Sequence, residues 1–332
     1  MPLSSGRYKM KKILTLGLAI IMSLTMFTAC GSGDVPDSVS ETVNIAALNG
    51  PTGMAMVQLT EMEDKYDITT YQAPADVTAK IINGEADVAA LPSNLAAVLY
   101  NKTEGEVVAV SPIALGMLRI LGNNADVQEV SDLAGKTIIA SGQGGTPEYV
   151  LQKVLEDNGL TIYEDVNVEW LANHSEVNAR LLSEEGAIAM IPEPFVSTAL
   201  AQGNENVTEI FDLNELWEEA TGQQLPMGVL VASRTFAEER ADDLTVLLND
   251  LQASVDYVND DPTEAAKDIV ACGFIGDEAI AEAAIPNCHI VLYTGDEAAA
   301  GAESLKTFNQ TLFEMDPASV GGAIPNEDLY YQ

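Results

Sequence analysis

Basic residues are the first shortage. The 332 residues include 15 Lys and Arg against 51 Asp and Glu, a formal net charge of −36. Binding to a phosphate backbone or an anionic lipid surface needs Lys and Arg to neutralise phosphates, so nucleic acid is excluded as a partner. Histidine is nearly absent, with His174 and His289 far apart, so no histidine-rich metal centre is expected. Cysteine numbers three. His-Glu-x-x-His, Cys-x-x-Cys, Gly-x-Ser-x-Gly and calcium-loop patterns do not occur, and neither a cofactor nor enzymatic activity is expected. Carboxylates are so abundant that pairs of them carry no catalytic information. Near the start, Ile13 to Phe27 is apolar over about 15 residues, short of the roughly 20 a spanning helix needs.

That apolar segment is informative. Lys11 and Lys12 precede it, and Thr28-Ala29-Cys30 follow it, then Gly31-Ser32-Gly33-Asp34. A positive end, an apolar middle and small residues before a cut describe a secretory signal peptide, here residues 1–29. The cysteine after the small residues resembles the bacterial lipobox, with Phe27 where Leu is usual. The resemblance implies lipidation (a palmitate-type anchor) on Cys30 and an extracytoplasmic protein held to the cell membrane. An ordinary signal peptide or membrane anchor is the alternative. Residues before Met10 read as a spurious upstream start. Residues 30–41, rich in Gly, Ser, Asp and Pro, read as a flexible tether. Arg7, Lys9, Lys11 and Lys12 leave with the signal, so the exported chain is more acidic still. Its acid is spread along the chain, which suits solubility at a cell surface. Cys272 and Cys288 then remain as an even pair in a disulfide-permissive compartment. Either a bridge or two separate thiols is open.

Beyond the tether, short apolar runs alternate with helical segments. Strands are expected at 43–48, 66–71, 87–91 and 107–110, with helices at 53–62, 75–82 and 93–100 between them. A second series has strands at 136–140, 166–171, 187–191 and 207–211, with helices at 146–157, 176–184 and 194–201. The last third is mostly helical: 235–258 as one amphipathic helix ended by Pro262, then 263–271, 277–283 and 297–314. Runs at 117–121 and 227–232 carry the chain between two lobes. The expected fold is α/β with two mostly parallel sheets: lobe one from 42–113 plus 229–332, and lobe two from 116–226.

Four stretches in this order, Asn44 to Met54, Gly84 to Asn94, Asp132 to Thr137 and Ala187 to Phe195, resemble type 2 extracytoplasmic solute-binding proteins of ABC importers. The similar branch binds nitrate, taurine, aliphatic sulfonates and thiamine-pyrimidine precursors, and Val320 to Tyr331 looks like the tail of a clostridial-type subgroup. The resemblance implies two α/β lobes joined by two crossing strands. It also implies a small solute captured between them by hinge closure, an ABC permease partner and a monomer.

Ligands of open α/β sheets sit at the carboxyl ends of strands, where helix N-termini offer unpaired N–H groups. In lobe one this selects Asn49, Thr52, Gly53 and Met54 after the first strand, Gln72 after the second, and Ser93 and Asn94 after the third. Ser93 also reads as a helix cap. In lobe two it selects Gly142, Gln143, Gly145 and Thr146, a glycine loop that is neither a dinucleotide fingerprint nor a Walker loop. His174 and Glu193 lie on the next two loops. Each has a plain alternative, a solvated histidine and a water-facing helix-start carboxylate, and Phe195 either stacks or packs. Arg119 either faces the cleft or points outward. With no other cation on these loops, a small polar or heterocyclic solute, neutral or zwitterionic, fits better than phosphate. A monoanion on helix N-termini remains open. The function expected is capture and delivery to a permease. The alternatives are a ligand-sensing surface lipoprotein, an adhesive lipoprotein and a two-lobed enzyme.

Overall fold

Two mixed five-stranded sheets, each covered by helices on both faces, organise residues 38–331, the part that the computed structural model describes. The expected signal segment, Cys30 and most of the tether lie outside those residues. No described helix is long and apolar enough to cross a membrane.

The first sheet has the order β2-β1-β3-β10-β4. Its strands are β1 (Val43–Leu48), β2 (Tyr66–Tyr71), β3 (Val88–Pro92), β4 (Val107–Ala114) and β10 (Gly228–Ser233). The second has the order β7-β6-β8-β5-β9. It is built from β5 (Leu118–Asn123), β6 (Thr137–Ser141), β7 (Asn167–Leu171), β8 (Ile188–Pro192) and β9 (Val207–Asp212). β1 pairs in parallel with β2 and β3, and β6 with β7 and β8. β10 runs antiparallel between β3 and β4, and β5 antiparallel between β8 and β9. Central strands such as Val88-Ala89-Ala90-Leu91 are buried on both faces, which explains their unbroken apolar runs. Alternate residues feed different cores: Ile45 and Ala47 one face of the first sheet, Ala46 the other; Leu118 and Ile120 one face of the second, Leu121 the other. This is the two-lobed fold of type 2 periplasmic binding proteins.

Twelve helices complete the described residues: α1 (Pro51–Met54), α2 (Pro74–Ile82), α3 (Ser93–Lys102), α4 (Thr146–Asp157), α5 (His174–Ser183), α6 (Phe195–Gln202), α7 (Leu213–Thr221), α8 (Arg234–Glu239), α9 (Ala241–Asp260), α10 (Pro262–Ala271), α11 (Glu278–Cys288) and α12 (Ala298–Met315). Side chains of Asn173, Asp212, Ser233, Asp261 and Asp277 accept backbone N–H bonds at the starts of α5, α7, α8, α10 and α11. Helix α12 straddles the lobes. Leu305 packs in a lobe-one core, while Phe308 and Leu312 enter the lobe-two core, where the Phe308 and Trp217 ring centroids are 5.8 Å apart.

The observed elements depart from expectation in places with identifiable causes. The helix expected over 235–258 breaks at Arg240, whose guanidinium is drawn to Asp243 and to the Glu41 carbonyl. The helix expected over 53–62 is one turn followed by a 3₁₀ turn at Val57–Glu61. Helix α7 had no counterpart in the expected pattern. Ser93 does not cap α3: it is the first helical residue, and its hydroxyl makes no cap bond. Cys272 and Cys288 are free thiols, not a bridge. Cys272 is exposed beside Thr60, and Cys288 is buried at the end of α11.

Trp217 is fully buried where α7 meets α12. Trp217→Ala should lower stability by about 3–5 kcal/mol, read from the shift in urea midpoint at an unchanged slope.

Candidate functional site

β5 and β10 carry the chain across between the two sheets, and the loops after β3 and β6 meet where Asn94 touches Thr146; the other selected loops follow the carboxyl ends of β1, β2, β7 and β8. The loops selected from the sequence come from these ends, but they are not equivalent.

In lobe one, Asn49 follows β1 and donates its backbone N–H to the Tyr71 carbonyl at 3.0 Å. Its side-chain Oδ1 is buried without a hydrogen-bond partner. Ser93 is completely buried; its N–H donates to Met227 O at 3.2 Å, and its Oγ also lacks a partner. A buried polar atom left unpaired costs about 1–3 kcal/mol, so two on the loops after the neighbouring strands β1 and β3 call for an explanation. Thr52, by contrast, donates its hydroxyl to Leu48 O at 2.8 Å. Gly53 is a packing requirement: a Cβ there would meet the Phe274 ring at 2.6 Å. Met54 is fully buried in the lobe-one core. Gln72 is exposed at the rim.

Asn94 and Thr146, from opposite lobes, meet. The Thr146 hydroxyl donates to Asn94 Oδ1 at 3.2 Å, and Asn94 Nδ2 donates to Ser319 O at 3.2 Å. A second bridge lies one turn along α4, where the Tyr149 hydroxyl donates to Asp316 Oδ2 at 3.0 Å. Burial and this bond push the Tyr149 phenol up to about 12. The lobes are therefore in direct polar contact at this edge.

In lobe two, Ser141 ends β6 and its hydroxyl lies 2.6 Å from His174 Nδ1. The His174 ring is 5.3 Å from that of Phe195. Burial lowers the His174 pKa from its ordinary 6.5, which keeps the imidazole neutral near pH 7. Gly142 and Gln143 are exposed, and Gly145 donates back to Gly142 O at 3.1 Å. The Gly144 N–H donates to Glu148 Oε2 at 2.6 Å, so the loop is filled from its own helix. Glu148 Oε1 accepts from the Tyr163 hydroxyl at 2.5 Å, and Tyr163 accepts from Trp170 Nε1 at 2.9 Å.

Glu193 is buried, not water-facing. Its carboxylate accepts from Ser197 N at 3.0 Å and Ser197 Oγ at 3.1 Å, which ties it to the first turn of α6. Burial raises its pKa, against these bonds and the nearby Arg119. Arg119 does not point outward. It is buried, with Asp212 Oδ2 at 3.0 Å, Glu209 Oε1 at 3.5 Å and a bond to Leu118 O at 3.1 Å. Both of its carboxylate partners and its carbonyl partner lie within lobe two.

Ser141 and Glu148 were not selected as site residues from the sequence. Ser141 was visible as the residue opening the glycine loop. Glu148, four residues after Gly144, carried the signal of an acid in a first helical turn. Among the described residues, no group of three or more His, Cys, Asp or Glu is placed to hold a metal ion.

A protein family described as menaquinone biosynthesis matches residues 51–293, more than half of the chain. No curated protein matches. Among solved structures, an ABC transporter from Parabacteroides distasonis is 22% identical with a TM-score of 0.74, over 88% of this chain and 99% of that one. The periplasmic aliphatic sulphonate binding protein SsuA from Escherichia coli is 16% identical with a TM-score of 0.68, over 88% and 92%. The ligand binding component of an ABC-type import system from Staphylococcus aureus, with zinc bound, is 13% identical with a TM-score of 0.66, over 88% and 96%. At such identities the likeness establishes the fold.

Because His174 titrates below its ordinary value in the fold, the unfolded chain binds more protons between that lowered value and 6.5. His174 therefore removes stability as pH falls through 6.5. Glu193, with a raised value, acts in the opposite direction. His174→Gln keeps an amide for Ser141 and cancels only the first effect. The stability of the wild type relative to His174→Gln should decline from pH 7.5 to pH 5 in urea titrations. A constant difference would refute the assignment.

Proposed function

The chain belongs to the menaquinone-biosynthesis family, and from that premise we propose a binding role for this member rather than a converting one. It is an extracytoplasmic solute-binding protein, lipid-anchored through Cys30. It captures a small organic solute between its lobes by hinge closure and delivers it to a membrane ABC permease as a monomer. The observation that carries this reading is the pair of unpartnered buried groups, Asn49 Oδ1 and Ser93 Oγ, on the loops that follow two neighbouring strands of one sheet. A ligand with a donor for the Asn49 oxygen, and a donor or acceptor for the Ser93 hydroxyl, satisfies both. The names of the similar structures, an ABC transporter, a sulphonate binding protein and an import-system component, support delivery to a permease. The apolar segment ending at Cys30 supports the anchor. The Asn94–Thr146 bond gives the two lobes a contact to make on closing. A sensing lipoprotein using the same cleft differs only in its membrane partner.

A converting role is the second reading, favoured by the family's description and by the Ser141–His174 contact at 2.6 Å. One fold carries binding and catalysis in different proteins, so the site must decide. His174 Nε2 has no carboxylate partner to orient it as a base among the described residues.

A ligand that binds only the folded state raises the melting temperature by mass action. Across a panel of sulfonates, pyrimidines and amino-acid-like compounds, one class should stabilise the protein and be recovered unchanged by mass spectrometry. Asn49→Ala should weaken that binding about tenfold with the apo melting temperature little changed. No shift from any compound would undermine the binding reading, and consumption of the ligand, abolished in Ser141→Ala, would establish the catalytic one.

A further inference from the structure

The glycine loop before α4 has the form of an anion cradle, yet it already holds a carboxylate. Glu148, in the first turn of α4, accepts the Gly144 N–H at 2.6 Å with Oε2. The same carboxylate is fixed by the Tyr163 hydroxyl at 2.5 Å, and Tyr163 by the Trp170 indole N–H at 2.9 Å. Tyr163 holds a left-handed backbone, φ 68°, at this position. Glu148 in α4, Tyr163 in the following loop and Trp170 in β7 thus keep one negative charge at the helix N-terminus, where an anionic ligand would otherwise gain from the helix dipole.

Elsewhere in the site the cation and one hydroxyl are already committed. Arg119 is buried and paired with Asp212 and Glu209. The Thr146 hydroxyl is donated to Asn94. Across the cleft, Ser93 immediately precedes Asn94, and its completely buried hydroxyl has no partner. The unpartnered Asn49 Oδ1 is an acceptor, and an acceptor asks for a donor. The net charge of −36 further lowers the local concentration of anions.

From these contacts we propose that Glu148 is a specificity-determining residue: it fills the Gly144 amide from within, so the cleft rejects sulfonates and carboxylates and accepts an uncharged solute bearing N–H or O–H donors. The solute class rests on the solute-binding reading; the occupancy of the loop does not. A sulfonate oxygen brought to Gly144 would have to displace the carboxylate or lie against it as a like charge.

The test uses the purified protein labelled with ¹⁵N-glycine and methanesulfonate as the probe. In the wild type and in Glu148→Gln, whose amide oxygen still accepts from Gly144, the Gly144 amide signal should show no saturable shift. In Glu148→Ala the amide is vacated, and methanesulfonate should bind at least tenfold more tightly, with circular dichroism unchanged. Matched uncharged and sulfonated compounds should raise the wild-type melting temperature only for the uncharged member. Saturable binding of methanesulfonate at Gly144 in the wild type, no gain in Glu148→Ala, or a wild-type preference for the sulfonated member would each overturn the proposal. If no compound stabilises the wild type while the amide responds as expected, the solute-binding reading alone fails.

Discussion

The fold depends on two strands that run against their neighbours. β5 and β10 are antiparallel insertions, one in each sheet, and the chain reaches them by crossing between lobes. The first crossing, Leu115 to Met117, is tightly held. Leu115 N donates to His289 O, Met227 N donates to Ala114 O, and His289 Nδ1 lies 2.7 Å from Gly116 O. Gly116 admits no side chain, since a Cβ there would sit 2.2 Å from Asn214. The second crossing arrives at β10 through Met227, whose carbonyl accepts from Ser93 N. The backbone of Ser93, a candidate site residue, is thereby bonded directly to a crossing segment. Because the crossings fix how the sheets face each other, strand ends that are distant in sequence become neighbours.

Electrostatics follows from the scarcity of cations. Arg119, Arg180, Arg234 and Arg240 each meet at least two carboxylates, and Lys65 and Lys80 one each. Most of these pairs are exposed and contribute little to stability. Their larger effect is to leave few basic groups uncommitted. The Arg119–Asp212 pair differs because it is largely buried and because Asp212 Oδ1 also accepts from Asn214 N at the start of α7. One carboxylate there secures a strand charge and a helix start beside the crossing.

Much of this was legible in the sequence where burial imposes a simple pattern. β1 and β2 lie where the sequence pattern places them, and β8 and β10 within a residue; β8 and β10 are buried on both faces, and such a strand cannot hide its composition. Helices opened by proline, such as α2 and α10, were equally plain. The break at Arg240 was not, since it comes from a guanidinium meeting residues far away in the chain. Pro286 inside α11 hid the helix's true length, for an interior proline ordinarily ends one. Helix α7 was overlooked although Asp212, Leu213, Leu216 and Trp217 form a cap and an apolar stripe. At the site, the loops follow from strand order. The partnerships within them do not: nothing in the one-dimensional pattern separates a serine that caps a helix from Ser93, or a free glycine amide from Gly144 held by Glu148.

The first described residues have a mechanical consequence. Ser40 donates through both its N–H and its hydroxyl to Asp243, and the Glu41 carbonyl accepts from Arg240. These are lobe-one partners on or beside α9, on the same polypeptide body as β1. Any pull transmitted along the preceding chain is therefore delivered to lobe one at this clasp and does not pass through the crossing strands.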